Sequence, residues 1–119
     1  MNIKFSIIIP SLNSKFFLKQ CIESILIQTY QNFEIIVVDG GSDDGTIDIL
    51  KDYGNKIRWI SEIDNGQAEA INKGISMCNG NWVTWQNCDD YYNNRDALSL
   101  FCKAINSNKS KKLFIGNIN

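Results

Sequence analysis

The sequence predicts an α/β domain, a mostly parallel sheet with helices on both faces. Four short apolar runs, at residues 5–9, 33–38, 57–61 and 82–85, are dense in β-branched and aromatic residues, as strands buried on both faces are. Between them apolar residues recur at helical spacing, and the joining segments are only a few residues long. A βα unit repeated four times in this way folds as a parallel sheet with right-handed crossovers.

Residues 5–9 (FSIII) form the first strand, closed by Pro10, the only proline of the chain. After Asn13, Leu18, Ile22, Ile25 and Leu26 mark an amphipathic helix capped by Ser14 and ending near Tyr30. Residues 33–38 are the second strand, and the glycine-rich, acidic stretch after Asp39 turns the chain sharply. Asp44 or Thr46 caps a short helix with Ile47, Leu50 and Tyr53 inward, and Gly54 stops it. A third strand at 57–61 leads through Asp64, Asn65 and Gly66 into a helix whose inner face is read as Ile71, Ile75 and Cys78. Residues 82–85 are the fourth strand. Leu98, Phe101, Cys102 and Ile105 define a fourth helix with Asp96 near its start, and residues 113–115 are strand-like.

The 119 residues suit one domain, and 44% apolar with 21% charged composition is that of an ordinary folded protein. With 12 basic and 13 acidic residues the net charge is −1, which leaves no field for drawing in nucleic acid. No apolar run is long enough for a signal or transmembrane segment. Cys21, Cys78, Cys88 and Cys102 fall in no C-x-x-C spacing and no His accompanies them, so reduced thiols in a cytoplasmic protein are expected. A disulfide remains compatible with the even count.

Three segments end an apolar run in small, polar or acidic residues: SIIIPSLNS (6–14), VVDGGSDDGT (37–46) and WQNCDD (85–90). In an open parallel sheet such stops lie at the carboxyl ends of strands, where ligands bind. Asp39, Asp89 and Asp90 are therefore expected to meet at one crevice. Carboxylates without a His partner point to a divalent cation and a phosphorylated ligand. The serines lack the His a nucleophile needs, and neither G-x-x-x-x-G-K-[ST] nor G-x-G-x-x-G is present. Trp59, Trp82 and Trp85 lie within strand patterns and read as core walls.

Together with EIDNGQAEAINKG (62–74), these motifs stand in the order and spacing of a family 2 glycosyltransferase, and the chain resembles the amino-terminal, nucleotide-sugar-binding part of one, with the Rossmann-like GT-A fold. The resemblance implies that Asp39 meets the base of a donor such as a UDP-sugar, beside a lip of Pro10, Ser11, Leu12 and Asn13, with Gly41 in the turn. It implies that Asn87, Cys88 and Asp89 stand for the D-x-D motif, with Asp89 as the Mn²⁺ or Mg²⁺ ligand and Asp90 as a second candidate. Glu62, Gly66, Gln67 and Asn72 are the remaining donor-site residues it implies. Two departures stand out: Asn13 is followed by Ser14-Lys15 where relatives often carry an acidic residue, and Glu69 replaces the usual Asp.

The same resemblance puts the catalytic base beyond Asn119. Residues 1–119 are thus expected to be a part truncated at the carboxyl end, inactive alone, with an exposed apolar edge that favours self-association. The full-length parent is expected in the cytoplasm or at the membrane periphery, and the acceptor, carbohydrate, lipid or protein, is unknown. The alternative is a nucleotide-sugar-binding or interaction module without transferase activity. A metal-dependent nucleotidyltransferase is weaker, because only Lys15 answers to the basic loop it needs.

Overall fold

Four runs of β-branched and aromatic residues lie side by side and point the same way. The structure, a computed structural model, describes residues 2–107. Within them β1 (Phe5–Ser11), β2 (Phe33–Asp39), β3 (Arg58–Ser61) and β4 (Trp82–Trp85) form one sheet in the order β3-β2-β1-β4. Every pairing is parallel; Ser11 stands beside Asp39, Asp39 beside Ser61, and Ile8 beside Trp85. The strand-like residues 113–115 lie outside the described residues.

Side-chain alternation along β1 divides the core. Phe5, Ile7 and Ile9 pack with helix α1 (Leu18–Leu26), α2 (Thr46–Asp52) and α4 (Ala97–Ser107), chiefly through Leu18, Cys21, Ile22, Ile25, Leu50, Leu98 and Ile105. Ile8, with Ile36, Val38 and Val83, faces α3 (Gln67–Met77) through Ala70. Both faces are covered, three helices against one. A 3-10 turn (Gly54–Lys56) precedes β3.

Four local expectations are corrected. Pro10 does not close β1: the strand runs on to Ser11, tolerated because pairing with β4 ends at Ile8 and leaves β1 one partner there. Helix α1 ends at Leu26 rather than near Tyr30. Ser14 does not cap α1 through its side chain: its hydroxyl donates to the Leu12 carbonyl, and its own carbonyl accepts the N–H groups of Phe17 and Leu18. The inner face of α3 is Ala70 and Gly74, with Met77 and Cys78 partly packed, while Ile75 is exposed. Close approach decides this, since a Cβ on Gly74 would sit 2.6 Å from Cγ2 of Ile8.

Opposite the strand carboxyl ends, Glu34 gathers the amino ends of three strands. Its carboxylate accepts from the Ser6 hydroxyl at 2.6 Å, from Arg58 at 3.0 Å and from the Gly80 N–H at 3.2 Å. Burial opposes its ionisation, but the Ser6 hydroxyl, the Asn79 N–H and Arg58 together outweigh that and hold its carboxyl below the ordinary range. Gly80 is required there, because a Cβ would lie 2.5 Å from the Lys4 carbonyl oxygen.

Candidate functional site

At the carboxyl ends of the strands, the loops after β1, β3 and β4 enclose a crevice of about 540 Å³. Its walls are Pro10 to Ser14 and Phe17 on one side, Asp64, Gly66, Gln67 and Ala70 on another, and Asn87, Cys88 and Asp89 on the third. The chain breaks from regular structure at these points because each strand runs into residues that favour turns, and those turns carry the polar groups.

The loop after β1 is fixed to the loop after β2. Asn13, in the left-handed region at φ 48°, donates its N–H to the Ser42 hydroxyl at 2.7 Å and accepts the Asp43 N–H at 2.9 Å. The Ser14 N–H reaches the Thr46 hydroxyl at 3.2 Å, and the Lys15 N–H reaches Asp44 at 3.2 Å. Thr46 also donates its hydroxyl to Asp44, which holds that carboxyl below its ordinary range. The Ser11 hydroxyl, buried in the crevice wall, has no hydrogen-bond partner among the described residues. Such an orphan is uncommon and marks a position where a ligand or water completes the structure.

Gln67 and Asn87 meet across the crevice, Nε2 of Gln67 donating to Oδ1 of Asn87 at 2.8 Å. The other end of the Asn87 amide faces Asp90 at 3.4 Å. Cys88 and Ser14 share a hydrogen bond of 2.8 Å, joining the β4 and β1 loops. Behind them Cys21 is buried, and burial with the nearby Cys88, Asp90 and Asp89 pushes its thiol up to about 12.

Of the residues singled out from the sequence, Pro10, Ser11, Leu12, Asn13, Gly66, Gln67, Asn87, Cys88 and Asp89 line one crevice. Asp39, Gly41, Glu62, Asn72 and Asp90 do not. Asp39 has no exposed surface, and its carboxylate accepts from the Gly41 N–H, the Ser42 N–H and hydroxyl, and the Ser61 hydroxyl. Four donors absorb its charge and lock the glycine turn, so in this structure it supports the site from behind. Gly41 is exposed and packs under Ile63, whose Cγ1 lies 3.0 Å from where a Cβ would be. Glu62 pairs with Lys73 at 2.9 Å, which holds the Lys73 ammonium above its ordinary range, and Asn72 lies exposed on α3. Asp90 stays half-buried beside Asn87.

The sequence reading missed Ser14, Phe17, Asp64 and Ala70 as crevice residues. Ser14 lies within the segment 6–14, and Asp64 and Ala70 within the motif 62–74, so their positions carried a signal; Phe17 becomes a crevice residue through three-dimensional proximity alone.

Among the described residues no three His, Cys, Asp or Glu side chains cluster as a self-sufficient metal cage. The donor set still fits a hard divalent ion: Asp89 is an exposed carboxylate in the crevice wall, and Mg²⁺-type sites commonly use one or two carboxylates with substrate phosphates and water completing the shell.

A parallel α/β sheet with a crevice at its strand carboxyl ends, reached by a helix start and an exposed carboxylate, is the architecture of a Rossmann-like domain. The model of glycosyl transferase family 2 matches residues 6–111, and the chain belongs to that family. It is 34% identical over 118 residues to a PGL/p-HBAD biosynthesis glycosyltransferase of Mycobacterium bovis, an alignment covering 96% of this chain and 46% of that protein. It is 33% identical over 105 residues to glycosyltransferase GlyA of Streptococcus pneumoniae, covering 86% and 15%. The chain therefore spans less than half the length of these relatives.

Among solved structures, S. aureus TarS residues 1–349 in complex with UDP-GlcNAc superposes with a TM-score of 0.78 at 28% identity, over 87% of this chain and 31% of that one. The mannosyltransferase PcManGT of Pyrobaculum calidifontis, in complex with GDP-Man and Mn²⁺, superposes at 0.82 with 23% identity, over 88% and 33%, a likeness of fold. The expected GT-A fold is thus the observed one. Among the described residues no helix is long and apolar enough to cross a membrane.

Proposed function

We propose that this chain is the donor-binding part of a glycosyltransferase that moves a sugar from a nucleoside diphosphate sugar, a UDP-sugar in our reading, to an acceptor hydroxyl with Mn²⁺ or Mg²⁺. The observation that carries the proposal is the crevice itself: nine of the residues expected to meet the donor line one cleft at the strand carboxyl ends. The complex of TarS with UDP-GlcNAc supports a uridine donor, and that of PcManGT with Mn²⁺ supports a divalent ion.

In this reading the diphosphate lies between Asp89 and the start of α3, where helix N–H groups and dipole favour an anion. A bound divalent ion would offset the charge that accumulates on the departing nucleoside diphosphate. Asp89 would hold that ion. Gln67 and Asn87, bonded to each other, fix the width of the cleft at this end. Ser11 lines the opposite lip, beside which the nucleoside would lie.

The test is thermal stabilisation by UDP with and without Mn²⁺ or Mg²⁺. At about a hundredfold over Kd the expected gain is ~2.7 kcal/mol, a clear rise in Tm for a domain of this size. Asp89→Asn should remove the dependence on metal. A folded protein whose Tm does not move with any nucleoside diphosphate and metal would refute the proposal.

A further inference from the structure

Resting on that donor reading, we propose that Asp64 selects the base of the nucleotide, and that it favours a base with a single imide N–H, uracil or thymine, over guanine and cytosine. The place of its carboxylate is unusual for a residue that follows the edge strand β3. A Cβ added to Gly40 would lie 3.1 and 3.2 Å from the two Asp64 carboxylate oxygens. The Asp64 carboxylate therefore occupies the space in which a side chain at position 40 would stand, directly after the central strand β2. The Gly40 N–H is bonded to the Ser11 carbonyl at 2.8 Å, so this point adjoins the crevice lip. Asp39, the other carboxylate near this end of β2, is buried and held by four donors.

The crevice thus carries one carboxylate over the end of β2 and another, Asp89, after β4. Two strand spacings separate β2 from β4, about 10 Å, the order of length that a ribose puts between a base and a diphosphate. An unmetallated carboxylate repels a diphosphate but accepts well from a base N–H. With metal and diphosphate assigned to Asp89, the base falls to Asp64.

The chemistry of the selection follows from what Asp64 already binds. Its Oδ1 accepts the Gly66 N–H at 3.0 Å, and Oδ2 takes no hydrogen bond from the described residues. One acceptor oxygen suits the single imide N–H of uracil or thymine. Guanine presents two parallel N–H groups that seek both oxygens, and cytosine turns a ring-nitrogen lone pair toward the carboxylate.

Calorimetric titration of the folded protein with UDP, dTDP, CDP and GDP in Mn²⁺ tests this. UDP and dTDP should bind more tightly than CDP and GDP, and Asp64→Ala should remove about a ten- to hundredfold share of UDP affinity while changing CDP and GDP little. Asp64→Asn keeps an oxygen for the Gly66 N–H but presents a donor in place of Oδ2, so the preference should move toward CDP. Gly40→Asp alone should weaken UDP by crowding two carboxylates, and Gly40→Asp with Asp64→Ala should restore it, an outcome a merely structural Asp64 would not give. If the wild type binds UDP and both Asp64 variants keep its ratio of UDP to CDP affinity, the assignment to Asp64 is overturned while the donor reading stands. If the wild type binds none of the four, the donor reading fails and this inference with it.

Discussion

Gly74→Ala is the sharpest test of how the crevice is held in place. In an unconstrained helix the change would stabilise by about 1 kcal/mol, because alanine restricts the unfolded chain and suits a helix better than glycine. Here the new methyl would lie 2.6, 2.9 and 3.0 Å from Cγ2, Cγ1 and Cδ1 of Ile8. Ile8 cannot yield: it is fully buried in the central strand, and its β-branched side chain is stiff at χ1. Overpacking of this kind costs about 1–3 kcal/mol, and with three atoms of an unyielding Ile8 at or under 3.0 Å the upper part of that range, about 2–3 kcal/mol, applies, so the balance is a loss of about 1–2 kcal/mol. At about 4 °C per kcal/mol for a domain of this size, Tm should fall by about 4–8 °C. Differential scanning calorimetry checks this, with Asn72→Ala on the exposed side of the same helix as control. Since α3 also carries Gly66 and Gln67 into the crevice, a helix pushed off the sheet should lengthen the Gln67–Asn87 bond and weaken nucleotide binding. An unchanged or higher Tm would refute the close packing of α3 on β1 that places this wall.

Glu34 makes stability depend on acid. Its folded pKa lies below the ordinary value of 4.5, so its contribution is full above about pH 4.5 and is lost as pH falls through the folded value. Glu34→Gln should lower Tm at neutral pH and flatten the decline in acid; an unchanged acid profile would argue against the network that joins Ser6, Arg58 and Gly80. Among the thiols, Cys21 should alkylate most slowly, being buried and pushed up to about 12, and UDP with Mn²⁺ should slow Cys88 but not Cys78 or Cys102. Peptide mapping in which Cys21 reacts first, or in which ligand leaves Cys88 unprotected, would count against the packing or the site.

The strands were legible because burial on both faces leaves a continuous β-branched run that no other local structure explains well. Their parallel order followed from short connections and alternating periods. The face of α3 was misread because hydrophobicity ranks Ile71 and Ile75 above Ala70 and Gly74, whereas the distance to Ile8 admits only small residues. Ser14 illustrates a second limit: a serine before a helix pattern suggests a cap, yet its hydroxyl and carbonyl serve a turn that precedes α1. The crevice was largely readable from the interrupted strands. What the sequence could not apportion was the work of its carboxylates, since whether Asp39 or Asp64 reaches the cleft depends on how many hydrogen-bond donors each finds nearby. Ser42 and Ser61 supply them to Asp39, and the missing side chain of Gly40 leaves room for Asp64.

The chain of contacts from Asp39 through Ser42 to Asn13 bears on how tightly a ligand can be held. A surface loop ordinarily loses motion when something binds it, and that loss subtracts from affinity. Here the interior carboxylate grips Ser42, Ser42 grips the Asn13 backbone, and Asn13 in turn grips Asp43. The lip is thereby tied to the stiffest part of the sheet, and its ordering is completed during folding rather than at encounter. A substitution at Asp39 would loosen a surface it never touches.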